Sequence, residues 1–207
     1  VRRRARTRQA LIQAAETLFA AQGVDAVSID EIANLADVAK GTFYNYFNDK
    51  DTLARELSDA TRLELEAAIA SLNDGVADPA MRVGRALCRV LRFGIANPDR
   101  ARAMMRMHPH ATDPAAPINA GVLADIRAGL SAQRFSAPSE SAAVIVLVGI
   151  VQAGLSRALD LLDDGAVARL AEDLGVLLLR ALGLAPTDAA AIMSLALPAV
   201  FEGVVEA

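Results

Sequence analysis

Five arginines, Arg2, Arg3, Arg4, Arg6 and Arg8, open the chain before its first acidic residue, Glu16. Guanidinium groups at that density suit a phosphate backbone, although a solvated tail has the same composition. Further on, Lys40, Gly41, Thr42, Tyr44 and Asn45 fall within six positions. An ammonium reaches a guanine or a phosphate, a threonine bonds a base or meets a thymine methyl, and a glycine lets backbone come close. Tyrosine and asparagine suit phosphate oxygens. A second cluster, His108-x-His110-x-x-Asp113, carries zinc-ligand chemistry. It is the weaker signal, because residues two apart on a helix point to different sides and the surrounding prolines, Pro109, Pro114 and Pro117, argue for a loop. Cys88 is the only cysteine, which excludes an intrachain disulfide and a cysteine-built zinc site. There is no pairing of nucleophile with base and no phosphate-cradling glycine loop. The chain is therefore expected to be no enzyme and to need no cofactor and no metal.

These residues need elements to position them. Leu11, Ile12, Ala15, Leu18 and Phe19 make one apolar stripe of a first helix, which Gly23 ends. Ser28-Ile29-Asp30-Glu31 is a capping box that starts a second helix, with Ile29, Ile32, Ala33 and Ala36 turned inward. A short turn at Asp37-Val38 leads to a third helix, expected from Ala39 to Tyr46. At about 100° per residue, Phe43, Tyr46 and Phe47 share one side of it and Lys40, Gly41, Tyr44 and Asn45 the other. Two short helices joined by a tight turn form a helix-turn-helix, whose second helix enters the major groove.

The stretches Ser28-Ile29-Asp30-Glu31-Ile32-Ala33 and Val38-Ala39-Lys40-Gly41-Thr42-Phe43-Tyr44-Asn45-Tyr46-Phe47-Asn48-Asp49-Lys50-Asp51-Thr52-Leu53 resemble the TetR family of bacterial transcriptional regulators. The likeness extends over roughly residues 7 to 55. It implies DNA contacts from Ser28, Lys40, Gly41, Thr42, Tyr44, Asn45 and Lys50, with Gly41 and Thr42 reading bases and arginines such as Arg4 and Arg6 adding backbone contacts. Two positions depart from the family pattern. Asp37 stands where glycine is common, which is tolerable because aspartate enters the left-handed region more easily than most residues. Ala39 stands where a serine or threonine often caps the recognition helix, which removes a cap worth about 0.5 to 2 kcal/mol.

The remainder is expected to be helical too. The sequence has 207 residues, 54% of them hydrophobic and rich in alanine and leucine, with a net charge of −4. Residues 1–50 hold seven basic and six acidic side chains, and the remainder fourteen and nineteen. An all-α fold follows: a three-helix DNA-binding domain over 1–50, then a helical bundle over 51–207 for ligand binding and dimerisation. Breaks divide the bundle into segments 51–73, 79–96, 98–108, 117–134, 139–162, 165–182 and 187–205. The arginine-rich start lacks the apolar run of a secretory signal. The longest apolar run, Ala142 to Leu155, is shorter than a bilayer needs. A reducing cytoplasm and no membrane are expected.

Segments 139–162 and 165–182 are apolar around much of their circumference and need a partner. The spacing of Gly149 and Ala153 allows two backbones to approach, and Leu155, Leu159 and Leu162 continue an apolar seam. The resemblance implies that these helices form the homodimer interface. It also implies a mostly apolar effector pocket, for which Phe93, Met104, Met105, Met107, His108 and Phe135 are the candidates. The expected partners are double-stranded operator DNA, a small-molecule effector and a second copy of the chain. The expected function is a ligand-responsive repressor on an inverted-repeat operator, with a metal-binding protein or hydrolase using His108, His110 and Asp113 as the alternative.

Overall fold

The computed structural model describes residues 2–107, 119–161 and 163–202, which form ten helices and no strand. The chain divides into two compact units. The first comprises Val1–Glu64 with Asn97–Pro109, the second Leu65–Ala96 with His110–Ala207. The first unit thus takes in more than residues 1–50.

Within the first unit, α1 spans Arg2–Gln22. Its stripe buries Leu11, Ala15 and Phe19 completely. Gly23, at φ +85°, closes the helix by donating its N–H to Phe19 O at 2.9 Å. The arginines therefore stand on a helix. The capping box of α2 (Ile29–Leu35) is complete. Ser28 Oγ accepts from the Glu31 N–H at 3.2 Å, and Glu31 Oε2 accepts from the Ser28 N–H and hydroxyl at 2.7 Å each. Asp37 makes the turn at φ +53°, the left-handed conformation expected for this position.

Helix α3 is shorter than the expected Ala39 to Tyr46: it covers Lys40–Phe43 only, followed by hydrogen-bonded turns to Phe47. Its N-cap, Ala39, makes no side-chain hydrogen bond, so the reading element rests on burial of Phe43 and Phe47. Helix α4 (Lys50–Leu72) begins where Asp49 Oδ1 accepts the Thr52 N–H at 2.6 Å, and contributes its residues up to Glu64 to this unit. Helix α6 (Pro98–Met107) packs on α1 and places Ala103 in the same core as Leu11, Phe19, Ile32, Phe43, Phe47 and Leu53. Arg100 of α6 pairs with Glu64 of α4 at 2.5 Å and lies 3.7 Å from Glu16 of α1. That tie has no local sequence signal.

The second unit is built round α5 (Pro79–Ala96), which packs against α7 (Ala120–Ser131), α8 (Glu140–Ala158), α9 (Asp164–Ala181) and α10 (Pro186–Phe201). The strong apolar face of α5 buries Val83, Leu87, Cys88 and Leu91. Small residues set the spacing. A Cβ on Gly175 of α9 would stand 2.3 Å from Met193 Cε of α10, so the glycine leaves room for that buried side chain. Arg134 joins the start of α5 to the start of α10 through Asp78, at 3.0 Å, and Asp188. Helix α8 is long and apolar enough by length and composition to cross a membrane, unlike the shorter run read from the sequence. Its Val144, Leu147, Val148 and Ala158 are members of the unit's core.

Candidate nucleic-acid interface

The interface begins with what α3 hides. Phe43 and Phe47 are buried with ring centroids 5.6 Å apart. With those two anchored, four other positions of the turn face outward. Lys40, Gly41, Tyr44 and Asn45 are exposed and Thr42 is half-buried. Tyr44 is 51% exposed, its ring edge-on to Phe43, which holds the hydroxyl toward solvent. A Cβ on Gly41 would meet nothing within 4 Å, so the backbone is open to approach there. Tyr46 is half-buried against the head core.

The cations around this face are arranged unequally. Arg4 lies over the Tyr46 ring at 5.8 Å, a cation–π contact that sets its guanidinium beside the reading turn. Arg3, Arg4, Thr7, Asp37, Val38, Ala39, Thr42 and Tyr46 line one open cleft of about 570 Å³. Arg3, Arg4 and Arg6 are exposed and take part in no ion pair among the described residues. Arg8 is engaged within the head, pairing with Glu56 and lying over the Phe47 ring at 5.4 Å.

Neither lysine stands free. Lys40 Nζ donates to Asp30 Oδ2 at 2.8 Å, and this bond together with the Asp30 charge raises the pKa of the ammonium. Lys50, expected at a phosphate, donates to the carbonyls of Asp25 and Val27. Ser28 is occupied by its capping box, and the hydrogen bonds from its hydroxyl and N–H hold the Glu31 carboxyl below the usual range.

The other candidate sites divide. Phe93 and Phe135 are buried in the second unit, where Phe135 fills the space left by Gly129, while Met104 and Met105 are half-buried in the first. Met107 ends α6, but its side chain falls outside the described residues, as do His108, His110, Asp113 and Leu162. Gly149 and Ala153 lie on an accessible face of α8, where a Cβ on Gly149 would meet nothing. Leu155 and Leu159 turn inward instead; Leu155 Cδ1 packs where Gly94 of α5 lacks a side chain. The outward apolar residues missed at the sequence level are Ile145 and Val146, 46% and 39% exposed, and Leu177 on α9, 54% exposed. Among the described residues no three metal-ligating side chains converge.

An all-helical chain whose N-terminal unit presents an outward turn of a helix-turn-helix beside a cluster of arginines is, by fold and site, a protein with a DNA-binding head. Residues 11–57 match the family described as bacterial regulatory proteins, tetR family. The chain's N-terminal segment is thus similar to the DNA-binding region of that family. The chain is 38% identical over 68 residues to the transposon Tn10 TetC protein of Escherichia coli, covering 33% of this chain and 34% of that protein. It is 35% identical over 107 residues to the HTH-type transcriptional regulator AcrR of Shigella flexneri, covering 50% and 48%. The matches thus span a third to a half of these curated relatives. Among solved structures, RolR in complex with the ligand resorcinol superposes with a TM-score of 0.61 and 26% identity over 93% of this chain and 95% of the other.

Proposed function

We propose that the protein is a transcriptional repressor that binds an inverted-repeat operator as a homodimer and is released by a small, largely apolar effector. The observation that carries the reading is the outward face of Lys40, Gly41, Thr42, Tyr44 and Asn45, anchored from behind by Phe43 and Phe47. Thr42 and Gly41 take the base edges. Lys40, Tyr44, Asn45, Arg4 and Arg6 take phosphates, and Ser28 stands at the backbone by its position at the head of α2. A protein that reads DNA in a bacterium works in the cytoplasm.

The dimer is supported by α8 and α9. Ile145 and Leu177 are each sixteen residues from Leu161. In a helical hairpin centred there, an equal rise of about 1.5 Å per residue sets them at one level. With Val146, Gly149 and Ala153 they make an apolar face that a second copy would cover. Effector release is supported by the resorcinol complex of RolR and by the large apolar core of the second unit. Phe93 and Phe135 are the proposed lining there, reached when the packed core opens. Helix α4, shared by the two units, is the natural lever.

The deciding experiment is fluorescence anisotropy with labelled DNA from upstream of the gene. Binding should be saturable and salt-dependent, and Thr42→Ala should relax preference at one base position per half-site. Equal affinity for unrelated DNA would remove the operator reading.

A further inference from the structure

Asp30 puts a carboxylate beside the reading face. It is the second residue of α2, two positions after the N-cap Ser28, and its side chain is 57% exposed. Its Oδ2 accepts from Lys40 Nζ at 2.8 Å, and Lys40 is the first residue of α3. The bond therefore ties the start of one helix of the helix-turn-helix to the start of the other. Tyr44, four residues beyond Lys40 and exposed like it, lies near enough to act on the ammonium as well. Carboxylate, ammonium and phenol thus follow one another on one exposed side of the head. Asp30 Oδ1 has no partner among the described residues.

An exposed ion pair adds little to stability, and a bare carboxylate turned toward a polyanion is repelled by it. Lys40 cancels that charge at the point where the first residues of a recognition helix meet base edges. The second oxygen remains an acceptor in need of a donor. In the major groove only cytosine N4 and adenine N6 offer hydrogens, and adenine sets its N7 acceptor beside the amine, where it repels a carboxylate. We propose that Asp30 is a specificity-determining residue, which reads a cytosine in each half-site by accepting from its N4 amine at Oδ1 while Lys40 holds and neutralises the carboxylate. The inference rests on the DNA-binding reading above and extends the reading face from α3 to the start of α2. Lys40 keeps two of its three donors for phosphate.

The test is selection of randomised DNA by the full chain, read by sequencing. The wild type should enrich cytosine at one position of each half-site. Asp30→Ala should lose that preference, a discrimination of roughly fivefold or more. Asp30→Asn should move it to adenine, because an amide offers a donor to N7 and an acceptor to N6. The variants should fold as the wild type does, the position being exposed. Lys40→Met should weaken binding to the cytosine site several-fold, and less so when Asp30→Ala is already present, since no carboxylate then needs neutralising. Identical base preferences in the wild type, Asp30→Ala and Asp30→Asn, with affinity shifted equally for every sequence, would overturn the proposal and leave the operator reading standing. Independent effects of the Lys40 and Asp30 substitutions would also overturn it. A wild type that enriches no sequence would instead remove the operator reading itself, and this proposal with it.

Discussion

Asp37 and Ala39 are where this head departs from the pattern of the TetR family it resembles: Asp37 takes a positive φ and Ala39 leaves the start of α3 without a side-chain cap. Asp37 holds φ +53° with its side chain in the cleft shared with Arg3, Arg4 and Thr42. Asp37→Gly and Asp37→Asn keep that conformation accessible and remove a negative charge facing DNA. Both should fold as the wild type does and bind all DNA sequences more tightly in an anisotropy titration. Asp37→Val should instead cost about 1 to 2 kcal/mol in a denaturant melt, because a β-branched residue is strained there. Equal stability of the valine and glycine variants would contradict this account. Cys88 supplies a second residue-scale expectation. Burial pushes its thiol up to about 12, so the thiolate is almost absent at neutral pH. Iodoacetamide at pH 8 should leave the folded protein unmodified and label it only after denaturation.

At the scale of elements, Arg134 binds two helices through Asp78 and Asp188. Burial would raise the Asp78 carboxyl. The Arg134 hydrogen bond, the Ala80 N–H and the charges of Arg134 and Arg82 outweigh it, so its pKa lies below the ordinary 3.8. A carboxyl depressed in the folded state contributes its stability in full above the ordinary value and loses it as pH falls through the lower one. The stability gap between wild type and Arg134→Met should therefore be constant from pH 7 to 5 and close below about pH 3.8. A gap unchanged at pH 2.5 would assign Arg134 to packing alone. Helix boundaries were legible because their signals are local: Gly23 and Gly183 take positive φ, and Asn97-Pro98 separates α5 from α6. The four-residue α3 was not, since an uncapped helix carries no mark of where it stops. Nor was the direction of Leu155 and Leu159, because a spacing of four buries them equally well in a partner or in their own unit. The outward turn of Tyr44 and Asn45 followed from periodicity, whereas the Lys50 bonds depend on where a distant turn comes to rest.

For the molecule as a whole, the predictions concern association and release. Replacing Ile145 and Leu177 together by glutamate removes apolar contact on one accessible face while leaving core positions untouched. Light scattering should give a dimer mass for the wild type and a monomer mass for the double variant, with helical content retained. A monomeric wild type would end the dimer proposal. Release demands that an effector bind the form without DNA more tightly, and a coupling of about 1 to 3 kcal/mol would weaken operator affinity roughly 5- to 150-fold. Calorimetry with a compound found by thermal-shift screening, with and without operator, should return two different affinities, and identical values would show no coupling for that compound.

The division of labour inside the reading turn has an evolutionary consequence. Phe43 and Phe47 carry its fold from behind, while Gly41, Tyr44 and Asn45 lie in solvent and Lys40 has only the exposed Asp30 to answer to. Substitutions at exposed positions of this kind usually change stability by less than about 0.5 kcal/mol. Mutation can therefore explore new recognition sequences here almost without endangering the fold, and a duplicated copy of the gene could drift to another target through a handful of neutral intermediates.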